Sequence, residues 1–137
     1  MKTIGLIGGM SWESTVGYYQ MINQEVKHRL GGLNSAKILL HSVNFALIEK
    51  LQHQGNWQQT AEILSDAAKS LEAGGAECVL ICTNTMHKVA AMVQEAVSIP
   101  LIHIADATGN ELVENKVNKI GLLGTAFTME QEFYKGR

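Results

Sequence analysis

The chain has 137 residues, 46% hydrophobic and 18% charged, against a norm of about 25% charged in soluble domains. A domain of this length buries roughly two-thirds of its unfolded surface, which excludes intrinsic disorder and makes a disulfide-stapled core unnecessary. Eleven Lys and Arg against 13 Asp and Glu give a net charge of -2, and the longest basic run is Lys27-His28-Arg29, so neither nucleic acid nor an anionic membrane is an expected partner.

Apolar residues alternate between strand and helix periods along the whole chain, with Gly doublets between them. The first run, residues 4–10, is interrupted by glycines and is too short for a secretory or transmembrane segment, so a cytoplasmic protein is expected. Residues 3–7 read as a strand. Gly8-Gly9-Met10-Ser11 turns it into a helix whose apolar face carries Val16, Tyr19, Ile22, Val26 and Leu30, ended by Gly31-Gly32. A second strand, 37–43, leads to Asn44, a helix cap, and a short helix through Gln52. Trp57, Ala61, Leu64, Ala68 and Leu71 then mark a longer helix closed by Gly74-Gly75.

The third strand is 77–82, and Thr83-Asn84-Thr85 opens a helix buried through Met86, Val89, Ala90, Val93 and Val97. Pro100 precedes a fourth strand at 101–104, a short helix follows at 106–114, and a fifth strand is expected at 119–123. Thr128-Met129-Glu130-Gln131 reads as a capping box. Strands separated by helices predict an α/β fold, a three-layer doubly wound parallel sheet in the flavodoxin-like order 2-1-3-4. In such a sheet ligands bind outside the switch point between strands one and three, which sets Gly8–Ser11 opposite Cys82–Thr85.

The two cysteines, Cys78 and Cys82, lie on one strand with Cα atoms about 13 Å apart, too far for a disulfide. Cys82 ends its strand just before a helix start, where unpaired N–H groups and the helix dipole are expected to lower a thiol pKa. Thr83, Asn84 and Thr85 add donors suited to a carboxylate. Taken alone, Cys82 is equally a small buried hydrophobe, and for Cys78 that reading prevails. Gly8-Gly9-Met10-Ser11 lacks the G-x-G-x-x-G spacing and any P-loop lysine, so nucleotide binding is weakly supported. His87 is either a proton-transfer assistant or simply an exposed or hydrogen-bonded histidine. The remaining histidines match no zinc spacing, so no metal is expected.

Ile4-Gly5-Leu6-Ile7-Gly8-Gly9 recurs as Ile120-Gly121-Leu122-Leu123-Gly124-Thr125, an offset of 116 residues. Either two strand-to-helix turns converge on Gly-rich sequence, or a second copy of the fold begins near Val117.

The segments Lys-Thr-Ile-Gly-Leu-Ile-Gly-Gly-Met-Ser-Trp-Glu-Ser at 2–14, Cys-Thr-Asn-Thr-Met-His at 82–87 and His-Ile-Ala-Asp-Ala-Thr at 103–108 resemble the aspartate/glutamate racemase family, close to the bacterial broad-specificity amino-acid racemases. The resemblance implies a cofactor-independent isomerase with two similar α/β lobes, each contributing one cysteine to a cleft. It implies that Cys82 is the first-lobe acid/base, that Thr83, Asn84 and Thr85 hold the substrate carboxylate, and that Met10, Ser11 and Gln52 contact substrate. Residues 1–116 are then the N-terminal lobe, and 117–137 begin a second lobe with its first strand. The expected ligand is an amino acid or dicarboxylate, and an unpaired strand of that second lobe makes a homodimer a further expectation. Competing readings are another cysteine-dependent dicarboxylate enzyme, a decarboxylase or cis-trans isomerase, and a non-catalytic carboxylate-binding module.

Overall fold

The structure, a computed structural model, describes residues 1–136. A parallel sheet in the order β2-β1-β3 forms from β1 (Thr3–Gly8), β2 (Lys37–Ser42) and β3 (Cys78–Ile81). β1 pairs with β2 from Thr3↔Lys37 to Gly8↔Ser42, and with β3 from Ile4↔Cys78 to Ile7↔Ile81. Between and after the strands come α1 (Trp12–Leu30), α2 (Phe45–His53), α3 (Trp57–Ala73), α4 (Ala90–Glu95), α5 (Ile104–Glu114), α6 (Ala126–Glu130) and α7 (Glu132–Lys135).

Strand side chains alternate between the two faces, so Ile7, Val79 and Ile81 meet Leu64, Ala68 and Leu71 of α3 in one buried cluster with Val93 of α4. Leu80 points to the other face, beside Tyr18 of α1 and Ala107 of α5. The result is helix, sheet, helix, as the alternating pattern predicts. The spacing read for α3 holds, because Ala61, Leu64, Ala68 and Leu71 are all buried. Each such leucine contributes about 1.5–3 kcal/mol by leaving water. Asn44 caps α2 by accepting from the Ala46 N–H at 3.1 Å, and Asn56 caps α3 by accepting from Gln59 at 3.2 Å.

The face of α1 that turns inward is not the apolar one expected. Val16, Tyr19 and Leu30 are exposed, and Thr15 is buried. Close approach and hydrogen bonding set the rotation of this helix. Thr15 Oγ1 accepts from the Gly9 N–H at 2.9 Å and donates to the Ser11 carbonyl at 3.1 Å, and any Cβ on Gly8 would collide with the Thr15 side chain. Gly9 has φ +89°, and a Cβ there would strike the Val43 carbonyl.

The expected fourth strand shrinks to a single parallel bridge, Val79↔Leu101. On its outer side the Gln94 amide takes the place of a neighbouring strand: Oε1 accepts from the Leu101 N–H at 2.7 Å and Nε2 donates to the Ile99 carbonyl at 3.0 Å. With that edge satisfied by a side chain and α5 starting at Ile104, no ladder extends further. The spatial order is still 2-1-3-4, counting Leu101 as the fourth position.

Residues 119–123 form no strand. A strand exists only through its ladder bonds, and this run pairs with none of the described strands, leaving Ile120 58% and Leu123 92% exposed. The last capping residue is Thr125, not Thr128: Thr125 Oγ1 accepts from the Thr128 N–H at 3.4 Å, and Thr128 is itself buried. Arg137, the final residue of the segment expected to begin a second lobe, lies outside the described residues. Among the described residues no helix is long and apolar enough to cross a membrane, and both cysteines are free.

Candidate active site

At the carboxyl ends of the strands lies a cavity of about 320 Å³. Met10 and Ser11 enter it from the turn after β1, Phe45 and Gln52 from the two ends of α2, and Thr83 and Thr85 from the segment after β3. Two strand-to-helix connections and the end of α2 thus bring together five of the residues singled out in the sequence: Met10, Ser11, Gln52, Thr83 and Thr85. Gln52 is held in place by a 2.9 Å contact from its Nε2 to the Met86 sulfur.

Asn84 faces elsewhere. It lines a neighbouring cavity of about 500 Å³ with Ser14, Tyr18, Leu80 and Ile104. Cys82 lines neither cavity and is completely buried, with its N–H donating to the Ile7 carbonyl at 2.9 Å. The expected lowering of its thiol pKa is overturned: burial pushes it up to about 12. The expectation assumed an open α-helix N-terminus. Instead Thr85–Val89 winds as a 3₁₀ turn before α4, and the desolvation of a dry thiol outweighs so short a dipole. The Tyr18 phenol is also pushed up to about 12, by burial first and by the Cys82 charge second.

The residues that the sequence did not single out are Phe45, Thr125, Ala126 and Phe127, all on the same cavity. The last three lie over the segment that follows β3. Thr125 Oγ1 lies 3.2 Å from Thr85 Oγ1 and 3.3 Å from Thr128 Oγ1, while the Phe127 ring meets Trp57 edge-on with centroids 5.5 Å apart. Lys88 Nζ stands 4.0 Å from the centroid of that Trp57 ring. One signal does point to them: the 116-residue echo aligns Thr125, Ala126 and Phe127 with Gly9, Met10 and Ser11. Met10 and Ser11 and their counterparts Ala126 and Phe127 therefore border one cavity.

No charged side chain lines this cavity, whose polar lining comes from the Ser11, Thr83, Thr85, Thr125 and Gln52 residues. His87 is buried at 3% exposure and does not line the cavity, and its Nδ1 lies 2.8 Å from the Thr83 carbonyl. No group of three or more His, Cys, Asp or Glu is placed to hold a metal among the described residues.

The family model described as Asp/Glu/hydantoin racemase matches residues 7–137. The broad-specificity amino-acid racemase RacX of Bacillus subtilis (strain 168) is 24% identical over 96% of the chain. The crystal structure of a candidate Asp/Glu racemase from Yersinia pestis matches the whole chain at 60% identity with a TM-score of 0.96. An aspartate racemase homologue from Pyrococcus horikoshii OT3 matches 98% of it at 38% identity with a TM-score of 0.83. The chain spans 58% of the Bacillus protein and 60% and 58% of the two crystallised chains.

Proposed function

The chain belongs to the Asp/Glu/hydantoin racemase family, and on that premise we propose that it supplies one half-site of a cofactor-independent amino-acid racemase. The observation that carries this reading is the convergence of Met10, Ser11, Gln52, Thr83 and Thr85 on one uncharged cavity at the segment that follows Cys82. Residues 1–116 are the catalytic lobe, and 117–137 open a second one, in keeping with the 116-residue echo and with relatives longer than this chain.

Inverting Cα requires a base on one face and an acid on the other. Cys82 serves one face, and a cysteine of the second lobe serves the other. The Cα–H is a very weak acid, so the carbanion-like transition state depends on donors to the α-carboxylate, a role that falls to Thr83 and Thr85 and to the main-chain N–H of Asn84. Met10, Ser11 and Gln52 hold the rest of an acidic or more broadly chosen amino acid. A thiol held near 12 is a proton donor at neutral pH. Its use as a base requires counter-charge, and the α-ammonium group of the bound amino acid supplies it.

With one catalytic thiol, Cys82 removes and returns a proton only on the same face. In deuterated water the Cys82 thiolate takes the Cα proton, the thiol exchanges with solvent, and a deuteron returns to the same carbanion. The expected outcome for the 137-residue chain is slow Cα exchange of one enantiomer of glutamate or aspartate without inversion, followed by proton NMR and chiral chromatography. Cys82→Ala abolishes the exchange. Net racemisation by this chain alone would overturn the half-site reading, and undiminished exchange in Cys82→Ala would overturn the role of the thiol.

A further inference from the structure

We infer that Ser14 and His87 are positioning residues that clamp two consecutive carbonyls, those of Cys82 and Thr83, and thereby aim the N–H groups of the carboxylate segment. The inference rests on the reading of Thr83–Thr85 as that segment.

The Ser14 hydroxyl lies 2.7 Å from the Cys82 carbonyl oxygen and 2.9 Å from that of Ser11. It has one proton to give. The Ser11 carbonyl already accepts from Thr15 Oγ1 at 3.1 Å, and Thr15 meets the Gly9 N–H as an acceptor, so the Ser14 proton goes to the closer Cys82 oxygen. α1 is thereby tied to the end of β3 across the sheet.

On the other side, His87 Nδ1 lies 2.8 Å from the Thr83 carbonyl, and His87 Nε2 lies 3.4 Å from the Ile104 N–H. A main-chain N–H can only donate and a carbonyl can only accept, so both contacts require the same tautomer, with the proton on Nδ1. Both bonds are made only by the neutral ring. Beside it His103 uses the opposite tautomer, its Nδ1 accepting from the Ala105 N–H at 3.1 Å, with the ring centroids 4.4 Å apart.

The consequence follows from peptide planarity. In a trans peptide the N–H of the next residue points opposite to the carbonyl. Holding the Cys82 carbonyl on Ser14 turns the Thr83 N–H away from α1, and holding the Thr83 carbonyl on His87 turns the Asn84 N–H away from the imidazole. No acceptor within the protein takes either N–H among the described residues. Two donors in a fixed orientation are what an incoming carboxylate needs, since nothing must reorganise when charge develops.

The test uses the 137-residue chain with Ser14→Ala, Ser14→Thr, His87→Asn and His87→Gln. Asparagine carries an amide N–H near the Nδ1 position, whereas glutamine reaches the Nε2 position instead. Imidazole nitrogen shifts are expected to show His87 protonated at Nδ1. Amide spectra titrated with L-glutamate and with L-alanine are expected to move the Thr83 and Asn84 signals, with affinity falling about tenfold in Ser14→Ala and His87→Gln and staying within about threefold in Ser14→Thr and His87→Asn. Equal losses in the Asn and Gln variants, a Ser14→Ala chain that binds like wild type, or an Nε2-protonated His87 would each overturn the clamp. If neither amino acid shifts the wild-type amides, the carboxylate reading fails. The clamp is then decided by the ligand-free spectra, in which the Thr83 and Asn84 amides must shift in Ser14→Ala and His87→Gln and hold in the two conservative variants.

Discussion

Removing the Cys82 sulfur should flatten the alkaline stability profile of this protein, and the size of the effect follows from its burial. The thiol is completely buried and its pKa is pushed up to about 12 from an ordinary value of 9.0. Above pH 9 the unfolded chain releases this proton while the folded chain keeps it, so the unfolded state binds fewer protons and stability falls as pH rises. The stability contribution is fully present below pH 9 and is lost progressively toward pH 12, at about 1.4 kcal/mol per pH unit. Between pH 8 and 10.5 the loss from this residue is about 2 kcal/mol. Tyr18 and Cys78 also have raised pKa values, and they contribute to the alkaline decline of both proteins. The difference between wild type and Cys82→Ala therefore isolates Cys82, with a small addition because its charge also raises Tyr18. Urea unfolding at pH 8, 9, 10 and 10.5 under reducing conditions measures it. Cys82→Ala should begin less stable at pH 8 through the lost packing, then lose about 2 kcal/mol less than wild type by pH 10.5. Parallel profiles, or native thiolate absorbance that titrates near pH 9 with an amplitude of two thiols, would refute the claim that desolvation governs this residue.

Three further outcomes are expected. Gly8→Ala forces a Cβ into the Thr15 side chain and should lower stability by about 1–3 kcal/mol, read from urea midpoints, with Gly8→Ala/Thr15→Ser recovering part of it. Leu64→Ala, at the centre of the α3 contact with the sheet, should cost about 2–5 kcal/mol by the same measurement. Gln94→Ala removes the amide that ends the sheet, and hydrogen exchange at the Leu101 N–H should accelerate about tenfold or more while that at Ile7 in β1 changes far less.

Much of the site is readable from local pattern. The Gly8-Gly9 turn, the Asn44 cap that starts α2 and the strand ending at Cys-Thr-Asn-Thr each depend on a few consecutive residues. Parallel topology then brings those three turns to one end of the sheet. That is why Met10, Ser11, Thr83 and Thr85 border one cavity, which Gln52 reaches from the far end of α2. Thr125–Phe127 are not legible in this way, because residues 119–123 carry a strand pattern and nothing local says that the turn after them folds back over Thr85. The Ser14 and His87 contacts are hidden too, because neither residue type announces which carbonyl it will reach.

The sequence by itself determined the first three strands and the helices between them, the Asn44 cap and the parallel doubly wound class, because hydrophobic period and turn chemistry act over a few residues. Tertiary structure decided the rest. It rotated α1 so that Thr15 rather than Val16 and Tyr19 is buried, since a glycine-permitted approach and two hydrogen bonds outweigh a weak apolar stripe. It reduced the fourth strand to a bridge by placing a glutamine amide on its edge. It also reversed the expectation for Cys82, because a thiol pKa answers to how much water remains around the sulfur, and that water is excluded by residues far away in the chain.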